Sequence, residues 1–164
     1  HFDGSRQLEG SGAGVVLTSP RPDKFCYVLC LMFPCTNNAT EYEALLHGLR
    51  MAKKMNVSRV KCFGDSDLVA EQVSGTWDSK DPLMAAYQRE VDIVAGHFKG
   101  YQVDHIDRRK NEAADALSRL GSQGKPVPPK SSLTCCIIRR SRYQQRRSWL
   151  FLIRRLNWWQ LCMS

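Results

Sequence analysis

The chain has 164 residues, with 24 Lys+Arg against 16 Asp+Glu and a formal net charge of +8. That length suits about one domain with a real hydrophobic core. No apolar run is long enough to span a bilayer and no secretory leader pattern is present, so the expectation is an intracellular protein with no membrane partner.

The charge is unevenly spread. Residues 1–121 hold 15 Lys+Arg and 16 Asp+Glu, whereas residues 122–164 hold 9 Lys+Arg and no acid. The basic character therefore belongs to the tail, where it favours nucleic acid or anionic surfaces without specifying either. Seven cysteines are present and none forms a Cys-x-x-Cys pair, which leaves no zinc-site spacing. Cys26, Cys30 and Cys62 fall in apolar, strand-like runs and read as reduced, buried thiols.

The chain begins at His1, without Met, directly on Phe2-Asp3-Gly4-Ser5. The expectation is a first strand cut short, in a piece of something longer. Residues 12–18 read as a strand after a Gly/Ser turn, and Pro20 and Pro22 mark a loop. Residues 24–33 are apolar on both alternating sets and predict a strand covered on both faces. Residues 39–55 predict a helix, with Tyr42, Leu45, Leu46, Leu49 and Ala52 as one apolar stripe and Lys53 and Lys54 suiting its C-terminal dipole. Residues 59–64 read as a short strand ending at Gly64-Asp65, followed by a short helix to about Ser74 that Gly75 ends. Asp81-Pro82 is a cap and first-turn proline opening a helix to about Gly96. Residues 99–106 read as a strand, and Asn111 to Leu120 as a helix stopped by Gly121. The order β-β-β-α-β-α-α-β-α predicts an α/β domain over residues 1–121 with a mixed sheet.

From Ser122 the texture changes. Gly124, Pro126, Pro128 and Pro129 suggest a linker, and the following stretch, rich in Arg, Cys, Ile and Trp, has no clean period. Residues 122–164 are read as a basic linker and tail, disordered or outside the domain's family. The absence of acids there fits an out-of-frame end. The stretch from Trp149 to Trp159 reads as a short amphipathic helix, a partner-binding segment, or nothing stable.

Four acids stand in four distinct settings. Asp3 lies where a strand gives way to a Gly4-Ser5 turn, and such a turn lets a ligand approach closely. Glu41 lies in the first turn of the long helix, three residues after Asn38, a capping-box spacing. Glu43, on a different helix face, reads as solvated. Asp65 ends a strand just before a helix start, the end of an α/β strand where ligands are held. Asp115 lies one turn into the last helix among Ala113, Ala114 and Ala116. Each alone has a plain structural reading as a turn, cap or surface acid. Together, four carboxylates brought to one place make a site for hard divalent cations, the setting of phosphoryl-transfer chemistry.

The ordered set Phe-Asp-Gly-Ser, Thr-Asn-Asn-Ala-Thr-Glu-Tyr, Gly-Asp-Ser and Asn-Glu-Ala-Ala-Asp-Ala-Leu resembles type 1 ribonuclease H over residues 1 to about 120. It is most similar in flavour to the ribonuclease H domain of plant gypsy-type LTR retrotransposon polyproteins. The resemblance implies a ribonuclease H-like mixed five-stranded sheet flanked by helices. It implies endonucleolytic hydrolysis of the RNA strand of an RNA–DNA hybrid with two Mg²⁺ ions, Mn²⁺ being a substitute. Asp3, Glu41, Asp65 and Asp115 match the family's metal-binding acids, with Asp3 bridging both ions. One ion would activate the attacking water and the other would stabilise the leaving 3′ oxygen. Asn37 and Asn38 match positions that touch the hybrid's minor groove, where an amide can both donate and accept. Gly4 and Ser5 resemble the turn that meets the RNA strand, and Ser66 joins them on the substrate side. Other domains of a retroelement polyprotein are the implied partners.

The resemblance has departures. His105 precedes the last acid at the offset of a catalytic histidine, yet it ends a strand, in a stretch similar to members without that histidine's flexible loop. Arg108 is the competing phosphate contact. Asp107 replaces a usual proline, and Asp67 adds negative charge near the site. The alternative reading is a catalytically dead, nucleic-acid-binding relic of the same fold; a third keeps the fold and changes the substrate to DNA.

Overall fold

The computed structural model describes residues 1–8, 10–21, 23–75, 80–124 and 133–138. Three strands open the chain as an antiparallel meander: β1 (Phe2–Gln7), β2 (Gly10–Thr18) and β3 (Lys24–Leu31). The expected turn at Gly4-Ser5 is not there. β1 stays paired with β2 as far as Gln7, which faces Gly10, so both residues lie inside a strand. Gly4 serves packing instead, because a Cβ there would stand 2.5 Å from Thr40 Oγ1.

Helix α1 (Asn37–Lys54) covers one face of this meander. Tyr42, Leu45, Leu46, Leu49 and Ala52 are all buried, as their stripe requires, and each fully buried Leu contributes about 1.5–3 kcal/mol. The capping box expected from Asn38 and Glu41 does not form. Thr36 caps the helix, its Oγ1 accepting from Ala39 N at 3.2 Å. The helix starts earlier than its apolar stripe suggests, and Glu41 lies beyond the reach of a cap. Glu43 is also corrected: it is buried and accepts from Tyr87 Oη at 2.8 Å. The face that carries it meets a second layer of helices rather than water.

That layer comes from β4 (Arg59–Gly64), α2 (Asp67–Val73), α3 (Pro82–Ala95) and β5 (Gly100–His105). Ser66 caps α2, and Asp81 caps α3 through Leu83 N at 2.8 Å. Gly75 follows α2 with φ of 77°, a left-handed conformation that glycine adopts without strain. Tyr42 and Tyr87 stack at 5.4 Å between α1 and α3, and Tyr42 Oη donates to Gln72 Oε1 at 2.8 Å.

After a single 3-10 turn (Arg108–Lys110), helix α4 (Glu112–Ser122) packs on the other face of the meander. Gly121 does not stop this helix. It lies inside α4, where a Cβ would come 3.1 Å from the Leu29 carbonyl carbon, so glycine is needed for contact and not for termination. β3 is thereby covered on both faces, by Tyr27, Leu29 and Leu31 toward α1 and by Val28 with Leu117 toward α4.

The architecture is α/β with a mixed sheet, and all five expected strands are present. Their ladder runs in two sections: β1, β2, β3 and a further strand β6 (Leu133–Ile138) in one, the parallel pair β4 and β5 in the other. β1 and β4 meet through side chains. The Phe2 ring lies on Gly64 so closely that a Cβ there would stand 2.7 Å from Phe2 Cε2. β6 lies in the segment read as disordered or outside the domain's family; residues 133–138 are ordered as a strand, beyond the stretch that carries the motifs. It pairs parallel with the free edge of β3, satisfying backbone groups that an edge strand leaves open. The linker prolines, the Trp149 to Trp159 stretch and Cys162 lie outside the described residues.

Candidate active site

The acids reach one place because each is anchored by a different element. Asp3 is the second residue of β1, on the side facing α4. Glu41 stands near the start of α1, held close to β1 by the missing side chain of Gly4. Asp65 follows the last residue of β4. The Phe2–Gly64 contact sets β1 and β4 side by side immediately before Asp3 and Asp65. Ligand oxygens of Asp3, Glu41 and Asp65 all lie within 4.8 Å of one another. Asp115, one turn into α4, lines the same cleft of about 550 Å³ without joining that tight group.

Burial makes this cluster electrostatically costly. Desolvation, followed by the neighbouring Asp3 charge, pushes the Glu41 carboxyl up to about 9. Asp3 rises to about 7, chiefly by burial and further by Asp65, against a hydrogen bond from Ser118 that opposes the rise. The Gly4 backbone amide opposes the rise at Glu41. Glu41 Oε2 is buried with no hydrogen-bond partner among the described residues. A buried acceptor without a donor, beside two more carboxylates, is the donor set a hard divalent cation takes. The residues therefore fit such an ion.

Arginines bracket the fourth acid. Arg108 Nη2 lies 3.2 Å from Asp115 Oδ1, and Arg119 Nη2 pairs with Asp115 Oδ2. Both guanidinium groups remain largely exposed, while Asp115 is buried beneath them.

Of the expected substrate residues, Gly4, Ser5, Asn37, Ser66 and Arg108 line the cleft. Asn38 is half-buried on α1 and does not line it. His105 faces Asp67 Oδ1 at 3.2 Å and is also outside the lining. The sequence reading missed Arg6, Gln7 and Arg119, which line the cleft. Arg119 was detectable, since it stands one helical turn after Asp115 on the same face. Arg6 left no such signal.

Asn111 was read only as a helix start. Its side chain makes no cap, and its Nδ2 donates to the Phe2 carbonyl at 2.9 Å and to Asp65 Oδ1 at 3.0 Å. The residue is buried and joins β1, the end of β4 and α4 at the site.

A mixed sheet with α1 and α4 on opposite faces of its meander, and acids converging at the β1–β4 seam, defines a ribonuclease H-like domain. The family model described as reverse transcriptase-like matches residues 1–121, and the chain belongs to that family. Ribonuclease HI of Halobacterium salinarum is 38% identical over 84 residues, a stretch covering 51% of this chain and 42% of that protein. The chain thus matches less than half of that relative's length. The crystal structure of RNase H1 from the same archaeon superposes with a TM-score of 0.66 at 29% identity, over 73% of this chain and 92% of that one. LC11-RNase H1 in complex with an RNA/DNA hybrid has a TM-score of 0.64 at 24% identity, over 75% and 94% of the two chains, and shares the fold.

Proposed function

We propose that this chain is a ribonuclease H, hydrolysing the RNA strand of RNA–DNA hybrids endonucleolytically. The observation that carries the reading is the convergence of Asp3, Glu41 and Asp65 within 4.8 Å, around a buried Glu41 oxygen with no partner among the described residues. Two of the relatives above bear the ribonuclease H name at more than 25% identity, and a third is described with a hybrid bound.

In this reading Asp3, Glu41 and Asp65 hold divalent cations, Mg²⁺ first and Mn²⁺ as a substitute, with Asp115 completing the set. Two such ions, when bound, supply an activated water and neutralise charge on the departing 3′ oxygen. The chain does the rest. Asp3 and Glu41 provide carboxyl groups whose ionised form burial disfavours and a bound cation would stabilise. Arg108 and Arg119 are exposed donors beside Asp115, placed to take phosphate oxygens by bidentate contact. Arg6 extends this basic margin along the outer part of β1. Ser5, Gly4, Asn37 and Ser66 line the cleft where the RNA strand's 2′-hydroxyls would be read.

We place the domain at residues 1–121, with 122–164 as an appended basic segment that contributes β6. The finer reading is a plant gypsy-type LTR retrotransposon polyprotein, supported by the order of the motifs and the reverse transcriptase-like family description. Among the described residues no helix is long and apolar enough to cross a membrane.

The test is incubation of the purified chain with a hybrid labelled on each strand, with and without Mg²⁺, beside Asp65→Asn. Cleavage confined to RNA within the hybrid, and lost in the variant, supports the proposal. Hybrid binding without cleavage in Mg²⁺ or Mn²⁺ would give the relic reading.

A further inference from the structure

We infer that Ser118 is the positioning residue that orients Asp3, and that its hydroxyl thereby sets the affinity of the acid cluster for a divalent cation. The inference rests on the reading of Asp3, Glu41 and Asp65 as a cation site and extends it to a residue outside every acid motif.

Ser118 is fully buried on α4. Its Oγ hydrogen-bonds Asp3 Oδ2, and the same Ser118 Oγ lies 2.9 Å from the Asp115 carbonyl, which competes for its single proton. The acids facing Asp3 are Asp65, Glu41 and Asp115, which donate nothing when ionised, and the Arg108 charge also acts on it. Ser118 therefore supplies a hydroxyl donor where the ionised, cation-holding form of the acid cluster offers only acceptors.

The two residues are 115 positions apart in sequence, and a run of glycines brings them together. On β2, Gly14 lies opposite Asp3 and Gly12 opposite Ser5. A Cβ on Gly14 would stand 2.7 Å from Ser118 N, and one on Gly12 would stand 2.5 Å from the Gly121 carbonyl carbon. With no side chains between them, the backbone of α4 rests directly on β2. That is the separation at which a hydroxyl on a single carbon, and nothing longer, spans from helix to Asp3. Partners that hydrogen-bond a ligating carboxylate hold it in the productive orientation, and their loss weakens metal binding while the ligand itself remains.

Alanine at 118 keeps the helix and removes one oxygen, so orientation is lost and the fold is not. The experiment is calorimetric titration of the full chain with Mn²⁺, wild type against Ser118→Ala, with thermal midpoints in EDTA. The expected result is a dissociation constant raised roughly tenfold or more. The Mn²⁺ dependence of hybrid cleavage should shift to higher concentration by the same factor and recover toward wild-type rate at saturation. Ser118→Cys, nearly isosteric and a weak donor, should fall between the two, and it decides the matter if the alanine variant does not fold. An unchanged Mn²⁺ dissociation constant in the folded variants overturns the inference alone, whatever the thermal midpoints do. A wild-type chain that takes up no Mn²⁺ overturns it together with the cation-site reading.

Discussion

Asn111 donates through Nδ2 to Asp65 Oδ1 at 3.0 Å, and through the same nitrogen to the Phe2 carbonyl at 2.9 Å. β1 carries one of the clustered acids and β4 leads directly into another, but the two strands share no ladder, and this amide ties them together beside the Phe2–Gly64 contact. Replacing Asn111 by Ala leaves a buried carbonyl without its donor. The expected cost is about 1–3 kcal/mol of stability, read from urea denaturation. Asn111→Asp should cost more, since it adds a negative charge beside Asp65.

Asp65→Asn separates the two roles of a clustered acid. Hybrid cleavage should fall by more than about 100-fold, beyond the loss of an outer-sphere partner. In EDTA the same variant should be at least as stable as wild type, because one of three mutually repelling carboxylates has gone. A single preparation assayed for cleavage and for thermal midpoint reads both.

Stability without metal should decline as pH rises. Asp3 and Glu41 have folded-state values of about 7 and about 9, both raised chiefly by burial. A carboxyl whose folded value is raised keeps its proton in the native chain when the unfolded chain has lost it. Its contribution is complete below the ordinary carboxylate range and is lost as pH climbs through about 7 for Asp3 and about 9 for Glu41. The thermal midpoint in EDTA should therefore fall between pH 5 and 9 as a result of these two groups, and Glu41→Gln should flatten the upper part. Mg²⁺ should restore the midpoint most at the alkaline end.

Gly4→Ala tests the seat of α1 on β1. The added carbon would meet Thr40 Oγ1 at 2.5 Å and the Thr40 carbonyl carbon at 2.6 Å. Overpacking of this kind costs about 1–3 kcal/mol. Backbone cannot yield here as a side-chain tip can, so Glu41 should move with its helix. Mn²⁺ affinity should drop along with the urea midpoint.

His47 gives a second pH limb, of opposite sense. It is buried on α1 beside Tyr27, its Nε2 has no partner among the described residues, and burial lowers its value to about 4. A base with a lowered folded value contributes stability above its ordinary value and loses it as pH falls through about 4. His47→Leu should raise the thermal midpoint at pH 4–5 relative to its effect at pH 7.

The elements and the identity of the acids were legible in the sequence because local chemistry dictates them. The period of Tyr42, Leu45, Leu46 and Leu49, the Asp81-Pro82 start and Gly75 each act over a few residues, and the strands fell close to where alternation placed them. Asp3, Glu41, Asp65 and Asp115 could be picked out because their flanking residues form recognisable motifs. What failed were judgements that depend on a neighbour far along the chain. Gly4 and Gly121 looked like a turn and a stop, and Glu43 looked solvated. Thr40, Leu29 and Tyr87, contributed by other segments, decide each case.

Over residues 1–121 the sequence alone thus determined which elements form and which residues bear charge, since propensity, capping and periodicity are short-range. Only the tertiary structure decided that three acids form a tight group while Asp115 lines the same cleft between two arginines. It also decided that Ser118 and Asn111 support them and that β6 closes the β3 edge. Those outcomes depend on how closely α4 can rest on β2 and Phe2 on Gly64. Such distances are set by side chains absent at glycines, and no local pattern in the chain records them.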